Sequence, residues 1–156
     1  MTLGNDEENT QIDHCRRSAM SREREAWEYR SSRFIEDQMA VRIPGIDLED
    51  PWTDESLRVA EAEFIKGFTH AGDMSSDVFE EYQMYLGEGL IRAFEGRWAH
   101  LPAELLGEAG QAGRGIAYRR MEHVDVTDGM IGFALAERSG EWWASVFRSN
   151  RELMPD

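Results

Sequence analysis

Ser75–Trp98, SSDVFEEYQMYLGEGLIRAFEGRW, is the longest stretch of the chain that is both helix-periodic and apolar on more than one side. At about 100° per residue, Phe79, Tyr82, Leu86, Leu90 and Ala93 share one face, and Met84, Ile91 and Phe94 lie roughly opposite. A helix apolar on two sides needs cover on two sides, so this segment is expected at the centre of the fold. Ser75 suits its N-cap, and Met74 and Phe79 stand at the spacing of a hydrophobic staple. Gly87 and Gly89 each cost about 1 kcal/mol relative to alanine inside a helix, a cost that makes sense if a backbone or an indole packs closely there. Trp98 is the expected partner. Glu88, between the two glycines, is one turn from Arg92 and reads as a structural ion pair rather than a catalytic acid.

Upstream, residues 1–12 are polar and read as a flexible acidic N-terminus, with a single domain over 13–156. Asp13 to about Met39 suits a helix with Trp27 and Phe34, together with Met20 and the stem of Arg30, along one side. Glu23, Glu25 and Glu28 have arginines three to five positions away and read as surface pairs. The helix should stop before Pro44–Gly45. The connector IPGIDLEDPWTDES has Ile43, Ile46, Leu48 and Trp52 to dock with. Thr53 can cap the next helix, with Asp54 and Glu55 in its first turn. That helix should run to about Phe68 on a stripe of Leu57, Ala60, Phe64 and Phe68. Thr69–Ser75 is a hairpin turn, and His70 within it reads as a solvent-exposed loop residue.

Downstream, Gly96 is expected to end the central helix. Arg97–Leu101 reads as a short strand closed by Pro102, and Ala103–Ala109 as a helical turn. GEAGQAGRG (107–115) lacks the Lys-Ser/Thr of a phosphate loop and has no apolar strand leading into it, so a hairpin loop is expected. Ile116, Tyr118, Val124 and Val126 share parity, which makes 115–126 one strand or two, broken around Glu122–His123 and paired with Arg97–Leu101. Thr127 reads as the cap of a further helix that Gly140 ends. Trp142, Trp143, Val146 and Phe147 form an aromatic i, i+4 pattern expected to dock on the sheet. The fold class is therefore α+β: a mainly helical single domain with a central buried helix and a small antiparallel sheet.

At 156 residues with a net charge of −14, the chain is long enough for a core and strongly acidic. The charge is concentrated. Between Asp47 and Glu88 stand Asp47, Glu49, Asp50, Asp54, Glu55, Glu61, Glu63, Asp73, Asp77, Glu80, Glu81 and Glu88, against only Arg58 and Lys66. Such a surface repels nucleic acid and anionic membrane and attracts basic proteins; its plainest use is solubility. A lone cysteine, Cys15, fits a reducing, cytoplasmic setting. The first residues lack the apolar run of a signal peptide, and no stretch approaches the ~20 apolar residues of a membrane span. The histidines at 14, 70, 100 and 123 never pair at i, i+4, and neither HExxH nor GxSxG occurs, so no metal, cofactor or catalytic residue is assigned.

Tyr85-Leu-Gly-Glu-Gly and Arg92-Ala-Phe-Glu-Gly-Arg-Trp98 together resemble the Y-[IL]-G-E…R-x-F-E-G-x-W pattern of small acidic actinobacterial proteins. Some of these are similar to the cytosolic immunity factor that neutralises a secreted NAD-hydrolysing toxin. The resemblance implies inhibition by occlusion of a toxin's active site, the toxin being encoded by an adjacent gene. On this expectation a basic protein partner meets Asp47, Glu49, Asp50, Trp52, Asp54, Glu55, Asp73, Asp77, Glu80 and Glu81, with Trp52 as the apolar anchor. A secretion chaperone or adaptor shares the acidic surface, and an enzyme or ligand-binding domain with a site assembled from distant segments is the other class in contention.

Overall fold

The computed structural model describes residues 4–101 and 113–155. Its elements are α1 (Gly4–Asp37), α2 (Met39–Arg42), α3 (Asp54–Gly67), a 3-10 turn (Ala71–Asp73), α4 (Ser76–Phe94), β1 (Gly96–Leu101), β2 (Gly113–Tyr118), β3 (Val124–Val126), α5 (Thr127–Glu137) and α6 (Trp142–Leu153). The architecture is a mainly helical α+β domain with one three-stranded antiparallel sheet in the order β1-β2-β3. The expected helical turn at 103–109 and most of the 107–115 loop lie outside the described residues, as does the side chain of Met20.

Helix α4 is the centre. Every residue from Tyr82 to Leu90 is buried, which a helix achieves only when covered all round. Its neighbours are α1, α5, α6, β1 and β2. Ser75 caps it, its hydroxyl accepting from the Val78 N–H at 3.3 Å. Ala93, expected on the buried face, is exposed, while Phe94 next to it is buried against Tyr118 and Phe147. The C-terminal stop also differs from expectation. Glu95 (φ 54°), not Gly96, takes the left-handed position. Gly96 instead begins β1, where a Cβ would lie 2.5 Å from Ile116 Cγ2, so the glycine is used for close strand packing.

Helix α1 begins at Gly4, nine residues before the Asp13 read from the sequence. Its C-terminal half is clamped through buried Trp27, Ser31 and Phe34 at i, i+4 and i+7. The expected pairs of Glu23, Glu25 and Glu28 are absent among the described residues. Instead Arg33 meets Asp37 at 2.9 Å, and Arg30 crosses to Glu80 on α4 at 2.8 Å.

Thr53 caps α3 as read, accepting from the Ser56 N–H at 3.1 Å. Helix α3 and the corner before α6 then cap one another. Buried Glu61 reaches the start of α6, where its carboxylate accepts from the Trp143 N–H at 2.6 Å and the Trp142 N–H at 3.3 Å. The Arg138 guanidinium donates to the carbonyls of Ile65 and Phe68, both at 3.0 Å, at the α3 C-terminus. Each charge sits at the helix end its sign suits. Arg138 itself is left-handed (φ 51°), and α5 ends at Glu137 before Gly140 is reached.

Two details on the C-terminal side correct the reading. Thr127 is not a cap: its hydroxyl lies 3.1 Å from the Arg114 carbonyl and 3.4 Å from Gln83 Oε1, tying α5 to β2 and α4. Trp143 docks among helices rather than on the sheet. Its ring meets Phe64 at 5.4 Å and Tyr82 at 5.9 Å, and its N–H donates to the Met130 carbonyl at 3.0 Å. The strands follow the expected register logic, Trp98 lying opposite Ile116 and Ala117 opposite Val124.

Candidate functional site

The residues around Glu88 form a pair of indole sockets. A Cβ at Gly87 would lie 2.0 Å from Trp98 Cη2, and a Cβ at Gly89 would lie 2.3 Å from Trp52 Cδ1. Each glycine is therefore the floor on which a tryptophan rests. At Gly89 the missing Cβ also opens the helix backbone: Trp52 Nε1 donates at 2.8 Å to the Tyr85 carbonyl, one turn back. Tyr85 reciprocates by donating its hydroxyl to the Pro51 carbonyl at 2.7 Å, while the two rings stack at 6.0 Å. The connector is thus latched to α4 at two points, and burial pushes the Tyr85 hydroxyl far above its ordinary range.

Glu88 lies between the sockets at 7% exposure. Its Oε1 accepts from Trp98 Nε1 at 3.3 Å, and its Oε2 faces Arg92 at 3.7 Å. Arg92 in turn lies over the Trp52 ring at 5.2 Å. Both carboxylate oxygens serve internal contacts, the arrangement expected of a structural acid. Tyr85, Gly87, Glu88, Gly89 and Arg92 together seat Trp52 and Trp98.

Trp52 was expected to be the anchor for a partner. It is half-buried, and its indole is spent on Gly89, Tyr85 and Arg92. Leu48, expected to dock, takes the opposite role. Ile43 and Ile46 enter the core, and the connector turns Leu48 outward at 59% exposure, with Asp47, Glu49 and Asp50 beside it in sequence, all exposed. Val41, 83% exposed, stands just upstream. Sequence alternation offered no way to tell which apolar residue of this irregular segment would face inward.

The structure divides the acidic block. Asp54 is held by Arg151 at 2.7 Å and Arg148 at 3.9 Å, and the Arg151 hydrogen bond lowers its pKa from the ordinary carboxylate value. Glu80 pairs with Arg30 and Glu81 with Arg42. Glu61 and Glu88 are buried. Among the described residues, Asp47, Glu49, Asp50, Glu55, Glu63 and Asp77 hold no ion pair, and Asp73 faces only His70, at 3.6 Å. These do not form one field. Helix α3 places the connector acids at its start and Asp73 and Asp77 beyond its end, a separation of about 20 Å along 14 residues.

A second polar cluster was not foreseen. Tyr118 donates its hydroxyl to Asp125, and the Asn150 amide donates to Asp125 at 2.7 Å and to the Tyr118 oxygen at 3.2 Å. A carboxylate only accepts, so the Asn150 amide nitrogen must face it. Asn150 Oδ1 then accepts from His123 Nε2 at 2.8 Å. Burial, with the Asp125 charge, pushes the Tyr118 hydroxyl far upward, which disqualifies it as an acid at neutral pH. The cluster fastens the end of α6 to the β2–β3 hairpin. Its members come from three elements, and no local spacing announced it.

Among the described residues, no group of three or more His, Cys, Asp or Glu side chains is placed to hold a metal ion, and no helix is long and apolar enough to cross a membrane. No family model, no curated protein and no solved structure matches the chain.

Proposed function

We propose that the chain is a non-catalytic, acidic binding protein, most concretely a cytoplasmic immunity protein that occludes the active site of a toxin encoded beside it. The observation that carries this reading is the connector. Leu48 is exposed between Asp47, Glu49 and Asp50, and none of the three acids holds an ion pair among the described residues. An exposed apolar residue flanked in sequence by acids without ion pairs suits a basic protein surface: the apolar residue would supply affinity and the acids orientation and association rate. Leu48 takes over the anchoring role first assigned to Trp52. The acids of the recognition surface reduce to Asp47, Glu49, Asp50 and Glu55, because Asp54, Glu80 and Glu81 are neutralised within the molecule and Asp73 and Asp77 lie beyond the far end of α3, about 20 Å along the helix.

The experiment is co-expression with the product of the adjacent gene. The expected result is a complex that survives purification, abolishes the partner's activity, and is weakened by Leu48→Ala while Phe133→Ala, on α5, leaves it intact. Failure of the two proteins to associate, or equal loss from both substitutions, would refute this assignment.

A further inference from the structure

Where α1 crosses β1, Trp27 and Trp98 meet edge to face, 5.3 Å between centroids at 87°. The Arg114 guanidinium lies over the Trp27 ring, its central carbon 3.7 Å from the ring centroid. These residues, with Glu23, Arg24 and His100, line a cleft of about 70 Å³. We propose that this cleft is a carboxylate-binding site, with Arg114 as its principal donor.

Strand geometry assembles the donors. Trp98 and His100 share one face of β1 by parity, and Arg114 is the cross-strand neighbour of His100. The Arg114 backbone is fixed on both sides, its N–H donating to Asp128 Oδ1 at 3.0 Å and its carbonyl accepting from the Thr127 hydroxyl at 3.1 Å. The cation–π contact with Trp27 holds the guanidinium against the ring and covers it on that side. Its in-plane N–H donors find no acceptor among the described residues. Arg24 likewise has no ion pair there. Among the described residues no carboxylate pairs with this half-buried arginine, and a planar oxyanion accepting two N–H bonds from the guanidinium edge fits it.

The charges lining the cleft select among oxyanions. Arg24 and Arg114 against Glu23 leave one net positive charge, matched to a singly charged carboxylate rather than to a doubly charged phosphate. The volume is well below the roughly 300–1,000 Å³ of sites that enclose a whole small molecule, so the cleft takes a head group. That carboxylate is either part of a free small molecule or the terminus of a peptide. Because this site lies on α1 and the sheet, its failure would leave the connector reading untouched.

The test is titration of the full chain with sodium acetate and with inorganic phosphate at constant ionic strength. Binding is followed through the indole N–H signals of Trp27 and Trp98 and the side-chain Nε–H signal of Arg114. The expected result is saturable shifts with acetate, weaker binding of phosphate, and about tenfold or greater loss of acetate affinity in Arg114→Gln, the effect of losing charge-assisted hydrogen bonds. Arg24→Gln should weaken acetate as well, and it decides the matter if Arg114→Gln does not fold. Arg58→Gln, whose partner is Glu141, should change nothing. A short peptide that binds more tightly than acetate, and loses this on C-terminal amidation, identifies a chain end as the source; a peptide no better than acetate identifies a small molecule. Non-saturable shifts, phosphate binding as tightly as acetate, or unchanged affinity in the arginine variants would overturn the proposal.

Discussion

Gly87 and Gly132 are both helical glycines, yet the same substitution should act on them in opposite directions. A methyl group at Gly87 runs into the Trp98 ring, whereas at Gly132 nothing lies within 4 Å. Gly87→Ala is expected to cost about 1–3 kcal/mol through overpacking, even after the roughly 1 kcal/mol that alanine returns to a helix. Gly132→Ala should gain up to about 1 kcal/mol. Urea unfolding at matched slope measures both, and a stabilised Gly87→Ala would mean that the indole socket is not tightly filled. Glu61 makes the second residue-level prediction. Burial raises its pKa above the ordinary value of 4.5, against the opposing effect of the Trp143 and Trp142 N–H groups. A carboxyl whose folded pKa is raised binds its proton more readily in the folded state. Its contribution is therefore fully present below the unfolded value and is lost as pH rises through the folded one. Stability followed upward from pH 4.5 should show this loss in the native chain, and Glu61→Gln should remove that part of the slope. Glu61→Ala should cost about 1–3 kcal/mol at any pH, since it leaves the N–H groups of Trp142 and Trp143 without their acceptor. A Glu61→Gln profile that keeps the native slope would contradict the assignment.

Helix α4 carries the element-level prediction. Leu86 is fully buried at its centre, so Leu86→Ala should cost about 2–5 kcal/mol. The amides from Tyr82 to Leu90 should be among the slowest in the molecule to exchange, while those of the exposed run Ser21–Ala26 in α1 should exchange earlier. If α4 opened among the first segments, its central place would be wrong. The position of this helix was legible because two apolar faces in one periodic run leave few other places for it. The Thr53 and Ser75 caps and the strand parity of Ile116 and Tyr118 were legible for a similar reason: each is a local rule acting on adjacent residues. Glycines flanking Glu88 announced an indole, and Trp98 was the nearer of the two that came. What escaped were contacts between elements distant in sequence. Glu61 at the start of α6, Arg138 at the end of α3 and the Tyr118–Asp125–Asn150–His123 cluster each satisfy a polar group from 25 to 82 positions away or across three elements, beyond the reach of any short pattern. The outward turn of Leu48 and the inward seat of Trp52 escaped for a different reason. An irregular connector has no period from which to read its faces.

For the molecule as a whole, the question is where its charge remains free to act. A net charge of −14 implies a broad negative field, but internal pairing removes Asp54, Glu80 and Glu81 from it and burial removes Glu61 and Glu88. Within the Asp47–Glu88 block the acids left lie before α3 and in its first turn (Asp47, Glu49, Asp50, Glu55), or in its second half and beyond it (Glu63, Asp73, Asp77), and the first group alone has an exposed apolar residue, Leu48, within its run among the described residues. Under the proposed binding role, steering and anchoring would coincide at Asp47–Glu55 and not at Asp73 and Asp77. The most direct test is the association rate with the adjacent gene's product, measured from low salt to ~0.15 M, where the Debye length falls to ~8 Å. The native chain is compared with one variant neutralised at Asp47, Glu49, Asp50 and Glu55 and another at Asp73 and Asp77. The account predicts that the connector variant associates more slowly and with a shallower salt dependence, while the Asp73/Asp77 variant stays close to the native chain. An unchanged rate and slope in the connector variant would contradict it.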